Sequence, residues 1–389
     1  MRILVVNAGS SSLKVRVLDP GDKVTGSADL PAPRGPAPRG AASVDAAALA
    51  GTLKGLGPVD AVGHRVVHGG TQFSGPVVVT EDVRRRLELL TDLAPLHQPK
   101  SLAALDAVGA ALPGIPAVAC FDTAFHASIP AAAATFALPQ EWRARWTLRR
   151  YGFHGLSHSY ASRRAAEMLD LSRSTGRVVT CHLGAGASLA AVQGGRSMDT
   201  TMGFTPLDGL VMATRSGSVD PGLVLWLEEH AGMPPAELAG ALENRSGLLG
   251  LAGTADMREV LSRAASGAGR AVLARDVYLH RLRASVAAMA AAMDGLDALV
   301  FTGGVGENSA EIRSRVATGL RFLGVQLDEG LNTGGTSEDY EITAGGTPVR
   351  TLVIAAREDL EIAAQVRTVL TSDMPPRGRN GRGRRDQRG

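Results

Sequence analysis

Three short runs place small residues directly after apolar, strand-like stretches. NAGSSSLK (7–14) follows RILVV, GAGAS (184–188) follows RVVTCHL, and GGVGEN (303–308) follows ALVFT. Glycine and serine in such turns let backbone N–H groups approach an anion closely, and the hydroxyls add donors. Phosphate is the guest that suits them. One such turn is equally well a plain turn; three, each ending a buried strand, point to nucleotide binding. Two common phosphate devices are excluded by inspection. A Walker-type loop needs G-x-x-x-x-G-K-[ST], but Lys14 follows Leu13 and no G-K-[ST] occurs. A Rossmann turn needs G-x-G-x-x-G/A, and 184–189 read GAGASL, with Leu189 where the third small residue belongs. The phosphate site is expected to be of the hairpin-turn type.

Charged and titratable residues stand near these turns. Arg65 follows the apolar run VDAVGH and Arg215 sits in a Gly/Ser/Thr loop, both unusual places for a simple solvated charge. Guanidinium offers a fixed fork to carboxylate and phosphoryl oxygens. Asp122 ends the buried run IPAVACFD, where an unpaired carboxylate would be costly, so it needs a partner, either Arg65 or a metal. His64/His68 and His154/His158 are each four apart, but the first pair lies on a strand-like run and neither has the glutamate of H-E-x-x-H, so zinc is not expected.

The elements that must hold these groups can be read coarsely. Residues 2–6 read as a buried strand and LKVRVLD (13–19) as the returning strand of a hairpin. Residues 27–57, with a Pro/Ala/Gly/Arg segment, read as a surface loop. Strands are expected at 59–70, 115–122, 177–183, 298–302 and 349–356, and helices at 81–93, 158–169, 274–293 and 358–370. Residues 178–183 answer 3–7, and Gly184–Ser188 answers Gly9–Ser12, a weak repeat in sequence but a clear one in pattern. Mixed strands and helices make the class α/β, with two similar domains facing a cleft.

The composition bounds the rest. The chain has 389 residues, 44% hydrophobic and 20% charged, enough for two soluble domains. The net charge of +3 is misleading: residues 374–389 carry six arginines against one aspartate, leaving the body at −2. That tail lacks aromatic residues for base stacking and is expected to be disordered, with no specific nucleic-acid role. Lysine occurs only at 14, 23, 54 and 100, so Lys14 beside a Gly/Ser turn stands out. Cys120 and Cys181 read as buried free thiols. No apolar stretch approaches a membrane span, and the first apolar run is too short for a signal peptide, so a cytoplasmic protein is expected.

Longer blocks now carry a resemblance. NAGSSSLK (7–14), GHRVVHGG (63–70), FDTAFH (121–126), YGFHGLSH (151–158), CHLGAGAS (181–188), MDTTMGFTPLDGL (198–210), TRSGSVDPG (214–222), SGLLG (246–250) and GGVGENS (303–309) together resemble the acetate kinase family, in its order and over roughly residues 2–370. The resemblance implies two duplicated actin-like ATPase (ribonuclease H-like) domains around a central cleft. Residues 1–124 with 360–373 would form the N-terminal domain, 125–359 the nucleotide-binding domain, and 374–389 a tail. It implies reversible phosphoryl transfer from ATP to acetate, dependent on Mg²⁺ with Mn²⁺ as a substitute, and a homodimer with no membrane partner. Catalytic roles fall on Arg65, Asp122, His154 and Arg215. Arg65, Val67, Leu96, Phe153 and Pro206 would bind the substrate. Ser10, Ser12, Lys14, His182, Gly184, Gly186, Asp256, Arg258, Gly303, Gly304 and Gly306 would bind the nucleotide, and Asn7 and Glu358 the metal. His97 resembles a further active-site histidine, while His68, His126, His230 and His280 are left structural or at the surface. Lys14 could instead pair with a neighbouring acid, and Glu358 could be a plain helix N-terminal acid.

The sequence departs from the family at four places. Ala185 stands where asparagine is usual in the second turn, which leaves backbone N–H groups and Ser188 for the phosphate. Leu156 replaces threonine, Gln98 replaces asparagine after His97, and ARED (356–359) replaces a T-N-E-E-like run. The alternatives are a propionate or other short-chain carboxylate kinase, or a degenerate nucleotide-binding regulatory module with a polyanion-binding tail.

Overall fold

The strands fall into two runs of six. In the computed structural model, which describes residues 1–9, 12–31, 44–95, 97–172, 174–335 and 338–372, the first run is β1 (Ile3–Ala8), β2 (Ser12–Leu18), β3 (Val24–Pro31), β4 (Ala61–Val66), β5 (Val77–Val78) and β6 (Ala117–Phe121). The second is β7 (Arg177–Leu183), β8 (Ala187–Gln193), β9 (Arg196–Thr200), β10 (Ala298–Thr302), β11 (Tyr340–Glu341) and β12 (Arg350–Val353). The expectations for Ser10, Leu96, the segment 32–43 and the tail 374–389 fall outside the described residues.

The sheets run β3-β2-β1-β4-β6-β5 and β9-β8-β7-β10-β12-β11. Strand for strand they are the same: an antiparallel three-strand meander, two further strands parallel to its inner strand, and a short antiparallel edge. The duplication read in the sequence is therefore a duplication of topology. Ala8 and Leu183 end β1 and β7, so Asn7 and His182 occupy equivalent penultimate positions before equivalent turns.

The helix Gly155–Leu169 is packed between the sheets. Leu156 enters a cluster with Ile3, Val5, Val118 and Cys120 of the first sheet, while Tyr160, Ala161 and Ala165 enter one with Val178, Val300 and Leu352 of the second. Leu156 is 1% exposed, so this departure from the family is a core residue. Burying a leucine side chain contributes about 1.5–3 kcal/mol. The closing helix Glu358–Ser372 returns to the first sheet through Ile362, Ala363 and Val366. Its approach is close enough that a Cβ on Gly63 would lie 2.4 Å from Ile362. No described helix is long and apolar enough to cross a membrane.

Three elements differ from the sequence reading. Within 27–57, β3 extends through Pro31 and a helix spans Ala46–Leu56. The strand is held by backbone pairing with β2, which its residue types do not advertise. The helix is capped by the Asp45 carboxylate accepting from Ala48 N, and Leu49 and Leu53 bury one face. The helix expected over 81–93 stops at Glu88 and a 3₁₀ turn follows at Thr91–Leu93. After β10 there is no turn: the chain enters the helix Gly303–Asn308 directly, with Gly303 at φ +78°.

Candidate active site

The parallel strands β1, β4 and β6 are neighbours and end together, which is where open α/β sheets bind ligands. Asn7, Arg65 and Asp122 stand at those ends. Arg65 donates from Nε to both Asp122 oxygens at 3.0 and 3.1 Å and from its terminal nitrogen to Oδ2 at 2.7 Å. Its other arm donates to Asn7 Oδ1 at 3.1 Å and lies 3.7 Å from Glu358. The Asn7 amide in turn donates to Glu358 Oε2 at 3.0 Å. Asp122 thus takes Arg65 as its partner. Glu358 both opens the closing helix and belongs to this cluster.

Charge balance follows from burial. Burial opposes the Arg65 charge, but Asp122 and Glu358 outweigh it and raise the pKa of the guanidinium. Burial pushes the Asp122 carboxyl up against the pull of Arg65. Burial also works against the Glu358 charge, but Arg65, His182 and the Asn7 amide hold that carboxyl below its ordinary range.

The second sheet supplies the facing wall. The turn Gly184–Gly186 closes with Gly184 N donating to Gly186 O at 3.0 Å, as Gly9 N does to Ser12 O at 2.8 Å in the first. Gly186 stands between two side chains: a Cβ there would be 3.3 Å from the His154 ring and 3.4 Å from Arg215. His154 stacks on His182 at 4.4 Å, and His182 accepts or donates at 2.8 Å with Ser157 Oγ. Burial, with His182 and Arg65 adding, holds His154 neutral far below its usual range. Burial lowers His182 as well.

His154 has φ +54°, a conformation that costs a non-glycine residue about 1–2 kcal/mol. Its neighbours fix it there. His126 Nε2 lies 3.1 Å from the Phe153 carbonyl, and Gly155 N donates to the Asp122 carbonyl at 2.9 Å. A carbonyl only accepts, so His126 donates from Nε2 and accepts from Ser197 Oγ at Nδ1. His126 is a buried structural residue, as read.

Arg215 donates to the Pro206 carbonyl at 3.3 Å and faces His97 Nε2 at 3.4 Å. Burial pushes His97 down to about 3, with Arg215, Arg65 and Lys100 adding. His97 thus stands as a neutral ring against the Arg215 guanidinium. Gln98 is fully buried, and its carboxamide bonds both the N–H and the carbonyl of His68 at 3.2 and 3.1 Å. That clamp orders the segment after β4 that carries Val67. Val67 and Phe153 share one buried apolar cluster.

A cavity of about 690 Å³ opens beside the second turn, lined by Gly184, Ala185, Asp256, Arg258, Gly304 and Tyr278 among others. Gly304 lines it, whereas Gly303 and Gly306 face inward, against Leu183 and Phe301. Asp256 caps the helix Met257–Ala265 and pairs with Arg258 at 2.6 Å. Lys14 is exposed and lines a separate hollow of about 190 Å³ with Asn7, Arg16, Glu358 and Asp359. It forms no ion pair among the described residues, so the structural alternative for it gains nothing. Ser12 opens β2 beside it.

Two features escaped the sequence reading. Ser188 is not free for phosphate: it is fully buried, 2.9 Å from His154 and 2.8 Å from His158. Glu307, the acid of the run GGVGEN, accepts from Gly303 N at 2.8 Å and from Ala356 N at 3.0 Å. It thereby ties the helix after β10 to the segment before Glu358. The i, i+4 spacing of His154 and His158 was the signal for the first, although it was weighed only for zinc, which was not expected, and not for a shared serine.

Two duplicated halves, each aiming a hairpin turn at one cluster of guanidinium, imidazole and carboxylate, define a phosphotransferase of the actin-like ATPase fold. Comparison with known proteins narrows the class. A sequence model of the Acetokinase family matches residues 43–364, and the chain belongs to that family. It is 49% identical over 316 residues to an acetate kinase of Synechococcus sp., covering 81% of this chain and 78% of that protein. The crystal structure of Porphyromonas gingivalis acetate kinase superposes with a TM-score of 0.87 at 37% identity, covering 95% and 99% of the two chains. A propionate kinase from Francisella tularensis superposes with a TM-score of 0.85 at 36% identity, covering 95% and 99%.

Proposed function

We propose that the protein is an acetate kinase, transferring the terminal phosphoryl group of ATP to acetate to give acetyl phosphate and ADP, reversibly. The observation that carries this reading is the convergence of His154 and Arg215 on the Gly186 turn, with Arg65 held by Asp122 beside it. Acetate is already an anion and needs no base. The obstacle is repulsion between the carboxylate and the polyphosphate. Arg65 and Arg215 supply positive charge and His154 a hydrogen-bond donor as the phosphoryl group passes in line. Asp122 acts through Arg65, because the two-point ion pair fixes the direction of the fork.

Val67, Phe153 and Pro206 are assigned the pocket for the methyl group, supported by the cluster that Val67 and Phe153 share, and Leu96 is assigned to it by the family resemblance alone. Such a pocket discriminates by only about 1–3 kcal/mol per methylene, and the likeness to a propionate kinase supports propionate as a weaker second substrate. The cavity beside Gly304 holds the adenosine, with Asp256 and Arg258 at its rim, and Ser10, Ser12 and Lys14 meet the phosphates with His182, Gly184 and Gly186.

A divalent cation accompanies ATP throughout this family, and we assign Mg²⁺, with Mn²⁺ able to replace it. Glu358 and Asn7 fit it by donor type: an ionised carboxylate and a carboxamide oxygen would suit a cation retaining waters and phosphate oxygens, with the Asn7 amide donating to Glu358 at 3.0 Å and its oxygen accepting from Arg65 at 3.1 Å until the cation takes it. When bound, the ion neutralises phosphate charge.

Residues 1–124 with 360–373 are taken as one domain and 125–359 as the other, supported by the return of the closing helix to the first sheet. A homodimer is supported by the helix Pro221–His230. None of its residues is buried, and Leu223, Leu225 and Trp226 are 49–55% exposed. A cytoplasmic setting suits two buried, unpaired cysteines and a nucleotide substrate.

Purified protein with acetate, ATP and Mg²⁺, trapped with hydroxylamine, should yield acetyl hydroxamate. No product at high enzyme concentration would overturn the reading, and ATP binding without turnover would favour a regulatory module.

A further inference from the structure

Behind His154 runs a line of four neutral side chains. Thr180 Oγ1 lies 2.7 Å from His158 Nδ1, His158 Nε2 lies 2.8 Å from Ser188 Oγ, and Ser188 Oγ lies 2.9 Å from His154 Nδ1. Thr180, His158 and Ser188 are fully buried. His154 Nε2 makes no hydrogen bond among the described residues and is the nitrogen on the side of Gly186. Burial holds both imidazoles far below their ordinary range, so each carries a single N–H.

Ser188 could also accept from both imidazoles, but its own buried hydroxyl hydrogen would then have no acceptor among the described residues, which leaves two proton arrangements that avoid facing lone pairs or facing protons along this line. In one, Thr180 donates to His158 Nδ1, His158 Nε2–H donates to Ser188, and Ser188 donates to His154 Nδ1. His154 then carries its proton on Nε2, toward the phosphoryl site. In the other every bond is reversed, and His154 presents a bare Nε2 lone pair. The two differ at the far end. Thr180 Oγ1 has no partner besides His158 among the described residues, so the reversed arrangement leaves a buried hydroxyl hydrogen without an acceptor. The forward arrangement uses every donor within the line and leaves only His154 Nε2–H, which faces the site, for a ligand.

We propose that Thr180 and Ser188 are positioning residues that hold His154 as its Nε2–H tautomer, so that it meets the transferring phosphoryl group as a donor and not as a lone pair. The inference rests on the role given to His154 above. A wrong tautomer would set a lone pair against an anion, the opposite of what transition-state charge requires.

The test reads tautomers directly. In protein labelled with ¹⁵N-histidine, nitrogen shifts and two-bond couplings should show His154 and His158 as Nε2–H, with His154 identified by comparison with His154→Asn. Thr180→Val should mix the His154 tautomers and lower kcat about tenfold, the shift one neutral hydrogen bond controls. KM for acetate and ATP should stay within about twofold, because neither substrate-binding wall is touched. Thr180→Ser should restore both readouts, and Ser188→Ala should reproduce the loss. An Nδ1–H His154 in the unsubstituted enzyme overturns the proposal. So does Thr180→Val with unchanged tautomer and kcat. Should Thr180→Val fold poorly, the spectrum of the unsubstituted enzyme decides alone. Nε2–H histidines in a protein that forms no hydroxamate would support the relay while overturning the assigned reaction.

Discussion

Gly186 decides how close His154 and Arg215, the two halves of the proposed catalytic apparatus, stand. Its Cα faces the His154 ring and the Arg215 guanidinium, and a methyl group would meet them at 3.3 and 3.4 Å. Nothing in its backbone demands glycine, since its φ lies outside the left-handed region that favours it. Gly186→Ala should therefore leave stability within about 1 kcal/mol of the parent. Turnover should fall about 100-fold, because the methyl group pushes apart groups that must converge on one phosphoryl. Steady-state kinetics beside a urea unfolding curve checks this; equal activity would mean His154 and Arg215 do not act on one point. Arg65 illustrates the same scale: its fork is spent on Asp122 and Asn7 before any ligand arrives, so its direction is set by the protein.

At the level of elements, the site depends on the segments that follow parallel strands. The turn after β7 and the helix after β10 must keep register with the segment Ala355–Glu358 after β12. Glu307 provides that tie through Gly303 N and Ala356 N. Glu307→Ala leaves both amides unpaired, at about 1–3 kcal/mol. The melting temperature should drop by several degrees, roughly 2–4 °C per kcal/mol at this domain size. KM for ATP should rise because Gly304 and Glu358 lose their common anchor. Calorimetry with an ATP titration checks both; a destabilised protein with unchanged KM would confine Glu307 to stability. The opening turns were legible because glycine and serine after an apolar run have few other uses. The helix at 46–56 was not, because Pro- and Ala-rich sequence around it hides a short apolar face.

For the whole molecule, buried histidines couple stability to pH. His64, His68 and His126 are each pushed down to about 4 by burial, from an ordinary value of 6.5. Between those values the unfolded chain binds protons that the folded chain does not. Stability is therefore full above about pH 6.5 and is lost as pH falls toward 4, by about 1.4 kcal/mol per unit for each histidine. Urea midpoints at pH 7 and 5 should show the loss, and His64→Leu, which removes a ring whose Nε2 has no partner, should make the slope shallower. An unchanged slope would mean another group titrates. The apolar face of Pro221–His230 gives a second expectation: Trp226→Asp should halve the mass seen by light scattering, whereas a parent already monomeric would remove the dimer.

Sequence alone determined the class, the duplicated halves, and the residue types at the strand ends. Those are local properties: apolar runs bury, small residues turn, and a charge after a buried strand needs a partner. Asp122 was known to need one, and Leu156 was known to depart from its relatives. Only the tertiary structure decided that the partner is Arg65, that Leu156 fills the layer between the sheets, and that Ser188 serves two histidines rather than a phosphate. Each of these joins residues from different elements, and distance in the fold depends on how sheets and helices pack. No pattern along the chain encodes which of two buried hydroxyls an imidazole will meet.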